Sequence, residues 1–284
     1  MTQNRALETA LQTPDRPTGI VYRTRGRRHG PVTRLMSPGD LGEMLKPFVF
    51  LDLIDADAAS LNGFGLHPHS GIATVTHLFE GDVRYEDTTG ARGVLPTGGV
   101  EWFKAGHGAW HGGGGGAGHI RGFQLWLALP PEQELGAVES IYQAPEDIAL
   151  DGPARILVGA HGAAASSLKA PPSIDYLAVR LKAGESWRYQ RPSGHNVAWV
   201  AVSKGGLTAP ERIEAGELVI FEPGDMAIGF HADGDTEFVL GSAVAHPHDL
   251  VLGYYSVHTS DASLAAGERR IEEIRMQLQK EGRL

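Results

Sequence analysis

Two histidines one residue apart, in His67-Pro68-His69, and a third at His111 are the residues of this chain whose types and spacing could hold a metal ion. Positions two apart in a strand share a face, so the imidazoles of His67 and His69 can aim at one point. Pro68 cannot donate to a sheet ladder, which places the pair at a strand edge or strand entry. Three neutral imidazoles plus water form a legitimate zinc site, and imidazole also suits several other first-row divalent ions. His111 lies in GHGAWHGGGGGAGHI, residues 106–120, where five glycines follow it and no carboxylate does. His107, His119 and Glu101 stand near enough in sequence to join the set, or to be ordinary solvated or hydrogen-bonded side chains.

The elements that must position these residues read as strands. The 38 glycines and 17 prolines punctuate short apolar runs instead of gathering in one block, as expected for many strands joined by tight turns. Residues 47–54, 72–81, 123–130, 154–160, 174–181, 195–206, 217–222 and 236–244 are rich in Val, Ile, Thr and aromatics. Their spacing predicts an all-β sandwich or barrel. Residues 76–103 and 200–228 share an order of strand, glycine turn, charged stretch and strand, which points to two β domains of similar topology. The division expected is 1–135, carrying the candidate metal site, and 136–284, with 131–173 making the connection. Ile271, Ile274 and Leu278 fall at helical spacing, predicting an amphipathic helix over 262–280 that packs outside the β core and stops at Gly282. The second HPH, at 246–248, has no third histidine at a matching distance. His77, His195 and His231 read as ordinary polar residues.

Composition narrows the class. With 42% hydrophobic residues, the 284-residue chain can fill a sizeable core. A formal charge of −9 argues against a nucleic-acid surface. The one basic cluster, residues 22–30, reads as a solvated face. With no cysteine, thiolate chemistry and disulfides are excluded. No apolar run spans a bilayer and residues 1–17 lack the apolar core of a signal peptide, so the expectation is a cytoplasmic protein without a membrane partner.

The ordered series HPH-G--TVT, L-EG, D--G--G, G-V-W--AG-G--H and QLW--LP, over roughly residues 45–131, resembles the pirin family of the cupin superfamily, and the tail from His258 resembles the pirin C-terminal helix. The resemblance implies a bicupin: two double-stranded β-helix barrels with one mononuclear site in the first and a degenerate second barrel. The family's ligand positions fall on His67, His69 and His111. Its fourth ligand, a glutamate two residues after the third histidine, falls on Gly113, and an acidic residue usual in the opening motif is replaced by Ala73. Gly113→Glu is accordingly expected to tighten metal binding. The implied cofactor is a divalent metal, iron first, with zinc, nickel, manganese or copper as alternatives, or no metal at all. The implied activity is a quercetin 2,3-dioxygenase-like oxygenase acting on a flavonol-like small molecule. The alternative is a non-enzymatic regulatory scaffold that binds another protein. The run Gly112–Gly116 is not a phosphate loop, since no Lys-Ser or Lys-Thr follows it. It reads as a flexible turn, or as a loop opening the barrel mouth and letting His119 swing inward.

Overall fold

Strand-forming sequence alternates with glycine turns along the chain, and the computed structural model describes residues 18–61 and 65–284. In the first half the strands are β1 (Ile20–Thr24), β2 (Arg27–His29), β3 (Val32–Met36), β4 (Phe48–Asp57), β5 (His67–His69), β6 (Ile72–Glu80), β7 (Val83–Asp87), β8 (Arg92–Leu95), β9 (Val100–Lys104), β10 (Ala109–Gly115), β11 (His119–Ala128) and β12 (Glu139–Gln143). A short helix α1 (Leu41–Leu45) precedes β4. Seven strands form one antiparallel sheet in the order β12-β9-β6-β11-β4-β3-β2, faced by a four-stranded sheet β5-β10-β7-β8. The second half repeats this plan. A seven-stranded sheet runs from β1 through 218–221, 197–204, 236–243, 174–181 and 154–158 to 150–151, and a four-stranded sheet joins 186–189, 228–232, 206–208 and 212–214. The chain is thus all-β with two cupin-type barrels, as expected.

Segments cross between the halves. Strand β1 pairs with 218–221 in the second barrel's sheet, while β12 pairs with β9 in the first. The basic cluster lies along β1 and β2, where Arg23 and Arg25 pair with Glu211 and Glu214 at 2.6 and 3.2 Å, a solvated ion-paired face.

Alternation along the strands explains how both large sheets are covered on both faces. Leu51 and Leu53 of β4, Val75 of β6, Trp102 of β9 and Phe123 and Leu125 of β11 point away from the first barrel's interior. They share one core with Tyr176, Ala178, Trp199, Leu218, Ile220 and Val239 of the second barrel. Phe48 meets Trp199 edge to face at 5.3 Å across this join, a geometry that adds to simple area burial. The two large sheets therefore pack together through their outer faces, leaving each inner face to its own barrel.

The C-terminal helix, α2 (Asp261–Lys280), has Ser260 as its N-cap. Gly282 sits just past its end at φ +68, a left-handed conformation that glycine adopts without penalty. Ile274 and Leu278 bury against Trp110 of β10, whose indole N–H donates to the Ile271 carbonyl at 3.1 Å. Each such buried side chain contributes on the order of 1.5–3 kcal/mol. The predicted helix thus packs on the outside of the first barrel, directly behind a strand that carries His111.

Candidate metal centre

Strand β5 is three residues long and forms the edge of the four-stranded sheet, the place that Pro68 permits. Its antiparallel register with β10 sets His67 opposite His111 and His69 opposite Ala109. His67, His69 and His111 then share the inner face, while Pro68 pairs with Trp110 on the other. The ring centres are 5.1 Å apart for His67–His69, 4.7 Å for His67–His111 and 5.0 Å for His69–His111. One ring nitrogen from each lies within 4.8 Å of the others, and this is the one such group of three or more His, Cys, Asp or Glu found among the described residues.

The other ring nitrogens are tied outward. His67 Nδ1 is 3.0 Å from the Gly65 carbonyl, His69 Nδ1 is 3.0 Å from the Tyr255 carbonyl, and His111 Nδ1 is 3.1 Å from Glu101 Oε1. Each contact calls for a proton on Nδ1, which leaves the lone pair on Nε2. The Nε2 atoms of His69 and His111 are buried and have no protein partner. Buried polar atoms are rarely left unpaired, so this donor set fits a metal ion. Burial, reinforced by the neighbouring His111, brings the pKa of His67 down to about 4. Burial, with His111 and His67 nearby, holds His69 well below its ordinary value. Both imidazoles are therefore neutral at pH 7, the state that can donate to a metal.

Below the histidines the inner face carries a polar layer. Glu101 of β9 accepts from the Thr76 hydroxyl at 2.6 Å and the Tyr142 hydroxyl at 3.2 Å, and Gln124 donates to Thr76 at 3.3 Å. Burial raises the Glu101 carboxyl, but His111 and the hydrogen bonds from His111, Thr76 and Tyr142 outweigh it and hold the pKa below the usual glutamate value. Phe103 stacks on His111 with ring centres 4.4 Å apart, fixing the ring from its other face. The three histidines and Thr76, Glu101, Gln124 and Tyr142 line a cavity of about 720 Å³, with Arg34 and Asp52, Phe50 and Trp126, and Tyr254 and Tyr255 on other walls. Arg34 pairs with Asp52 through both carboxylate oxygens and lies 3.8 Å from the centre of the Phe50 ring, which stacks on Trp126 at 4.0 Å.

The candidate substitutes for the missing glutamate separate clearly. Glu101 reaches the centre, but as the partner of His111 Nδ1. His119 begins β11 and pairs at 2.7 Å with Asp55 at an exposed position. The histidine group does not include His107, whose backbone N–H donates to the Gly136 carbonyl. The expected flexible turn at 112–116 is corrected: Gly112–Gly115 belong to β10. Glycine is needed there for close approach. A Cβ on Gly113 would stand 1.9 Å from the Arg84 carbonyl oxygen, and one on Gly115 would stand 2.0 Å from that of Ala58. This overturns the expectation that Gly113→Glu restores a ligand, because no side chain fits without separating β10 from β7. The Ala73 side chain faces the core between the barrels. Tyr142 and Tyr255, absent from the sequence reading, come from segments far along the chain and carry no local signal.

The fold and the histidine-lined cavity define a two-barrel cupin. The pirin family model matches residues 30–127. The chain is 32% identical over 235 residues, 76% of its length, to a Pseudomonas aeruginosa protein provisionally named a quercetin 2,3-dioxygenase, covering 82% of that protein. It is 42% identical over 110 residues to a pirin-like protein of Caulobacter vibrioides, an alignment covering 37% of this chain and 40% of that one. The chain belongs to the pirin family. In fold it is similar to a quercetin 2,3-dioxygenase of Acinetobacter baumannii, with a TM-score of 0.81 at 23% identity over 91% of this chain and 98% of that one. It is also similar to a bacterial pirin of Escherichia coli solved with nickel(II), with a TM-score of 0.62 at 21% identity over 79% of this chain and 99% of that one. No helix among the described residues is long and apolar enough to cross a membrane.

Proposed function

We propose that the first barrel holds one divalent metal through His67, His69 and His111 and acts as an oxygenase on a planar, hydroxylated aromatic of the flavonol class. The observation that carries this reading is the convergence of three imidazoles whose Nδ1 atoms are all anchored elsewhere. A first-row ion suited to imidazole, such as iron, nickel, copper or zinc, would supply a Lewis-acid centre for a substrate hydroxyl and, where redox-active, electron exchange with dioxygen. Glu101 holds His111 and, as the carboxylate behind an imidazole ligand, raises its basicity. Phe50 and Trp126 give the cavity a flat apolar wall, while Gln124 and Tyr142 offer hydrogen bonds to ring hydroxyls. Names carried by the P. aeruginosa and A. baumannii relatives support the substrate class.

The test is metal content and oxygen uptake with quercetin after loading each ion in turn, for the wild type and for His111→Ala. One metal per chain and uptake above background in the wild type, both lost in the variant, are the expected results. A second reading has one observation in its favour: Gly113 leaves the metal without a carboxylate ligand, so the one buried carboxylate at the histidines, Glu101, acts on the cation only through His111. On that reading the protein is a metal-loaded scaffold that binds ligands or a protein partner without turnover. Quercetin binding with no oxygen uptake for any ion would select it.

A further inference from the structure

Residues 251–258 form a strap over the histidine strand. Val251 pairs with His258 and Leu252 with Val257, and Ser70, adjacent to His69, bridges in parallel to Ser256. Beneath this bridge lies a buried polar relay that the proposed function leaves without a role. Ser70 Oγ is 2.8 Å from Ser256 Oγ and 2.9 Å from His258 Nε2. His258 Nδ1 faces Glu134 Oε2 at 3.6 Å, and Glu134 accepts from the Thr259 amide at 2.7 Å and the Thr259 hydroxyl at 3.0 Å. All of Ser70, Ser256, His258 and Glu134 are at most 3% exposed.

The order serine, histidine, carboxylate matches that of a nucleophilic triad, but helix α2 closes it off. A Cβ on Gly267 would stand 2.4 Å from Ser70 Oγ and 2.7 Å from His258 Nε2, so no acyl donor has room at the hydroxyl. A buried polar network of this kind rigidifies what it joins. It joins the segment that ends in His69-Ser70 to the strap whose Tyr255 carbonyl meets His69 Nδ1 at 3.0 Å. Strand β5 is a sheet edge paired on one side only, with β10. On its other side the strap supplies the acceptor for His69.

We propose that Glu134, His258 and Ser256 are positioning residues of the metal centre: they pin the strap so that the Tyr255 carbonyl keeps the His69 proton on Nδ1 and turns Nε2 into the cavity. The proposal rests on the three-histidine reading above for its consequence, but its first step exists without metal. The first measurement is therefore the His69 tautomer in metal-free, full-length protein, read from imidazole nitrogen resonances after ¹⁵N-histidine labelling. Wild type should show His69 in one tautomer, with a slowly exchanging Nδ1–H. Glu134→Ala and His258→Ala should show mixed tautomers or rapid exchange, and should bind Zn(II) about tenfold more weakly, the lower end of the usual effect of groups behind a ligand. Glu134→Gln, which keeps an acceptor for Thr259, should recover most of both. Leu240→Ala, a core truncation in the second barrel, should lower the melting temperature and leave tautomer and affinity unchanged. Should the alanine variants not fold, Ser256→Ala removes a single hydroxyl and should still speed exchange of the His69 Nδ1–H. An unchanged His69 tautomer and unchanged Zn(II) affinity in folded variants would overturn the proposal. If the tautomer scrambles but even wild type binds no Zn(II), positioning stands and the three-histidine metal reading falls.

Discussion

The two barrels share a seven-plus-four strand plan, and their inner faces are chemically opposite. In the first, alternate residues of the large sheet present Phe50, Asp52, Thr76, Glu101, Gln124 and Trp126 to a cavity. In the second, the matching alternation presents Leu177, Val179, Val200, Val219, Phe238 and Leu240, which pack with Tyr189, Phe221 and Phe230 into a core. Phe230 lies 5.2 Å from Phe238 and 5.7 Å from Trp187, so aromatic rings occupy the second interior. The outer faces differ little, since both feed the shared core between the barrels. One architecture thus holds either a site or a plug, according to every second residue of a few strands. The histidines follow the same division. His195 meets Ser242, His231 meets Ser186, and the His248 backbone N–H donates to His246 Nδ1 at 3.3 Å, with the two ring centres 5.3 Å apart.

The contrast can be broken most severely at one of the proposed metal ligands. His69→Ala should abolish stoichiometric metal binding, by ~100-fold or more in affinity, whereas His195→Ala in the second barrel should leave metal content untouched; elemental analysis of both after reloading checks it. Equal losses would mean that the barrels are not functionally distinct.

A sharper cut removes only the charge behind His111. Glu101→Gln keeps the shape and is expected to weaken Zn(II) binding by roughly 10–100-fold, as loss of a carboxylate behind a ligand histidine commonly does. Calorimetric titration measures it, and an unchanged affinity would reduce Glu101 to a polar filler.

Gly113→Ala should cost about 1–3 kcal/mol of stability through overpacking against the Arg84 carbonyl, with weaker metal binding because β10 carries His111. Gly241→Ala in the second barrel presses instead on the Trp199 ring, 2.4 Å from the added carbon, and should cost stability alone. Denaturant unfolding paired with metal titration separates the two. Tighter metal binding in Gly113→Glu would contradict the packing seen here.

The smallest effect is a slope. Burial takes His77 down to about 3, although its hydrogen bond to the Gly99 carbonyl opposes the shift. The unfolded chain takes up this proton below about 6.5 and the folded one refuses it, so stability is full above that pH and falls as pH drops toward 3. In metal-free protein, His77→Asn should flatten the dependence by up to ~1.4 kcal/mol per pH unit. His195→Asn should change it less, since burial lowers His195 while Asp175 draws it back up. Unfolding free energies between pH 4 and 7, the range in which ~6.5 is crossed, decide between equal and unequal slopes.

Much of the architecture was legible because it rests on local physics. Period-two patterns with glycine turns marked the strands, Pro68 marked an edge, and the spacing of Ile271, Ile274 and Leu278 marked the helix. The three histidines could be read from type and spacing, since two share a strand face by geometry and the third belongs to a motif. The glycine run misled for a physical reason: flexibility is a property of isolated glycine, but in β10 it is the missing Cβ that matters, and only the neighbouring Arg84 and Ala58 carbonyls reveal that. Likewise nothing near His69 announces Tyr255, and nothing near Glu101 announces that it would hold His111 instead of joining it.

By itself, then, the sequence determined that the chain would be strand-rich, that two imidazoles would share a face, and that position 113 could supply no ligand. The tertiary structure alone decided which nitrogen each histidine turns inward, which carboxylate stands behind them, and what covers the edge strand. Those outcomes depend on contacts between residues as distant in sequence as His69 and Tyr255, where no periodicity reaches and where packing and hydrogen-bond satisfaction choose the partner.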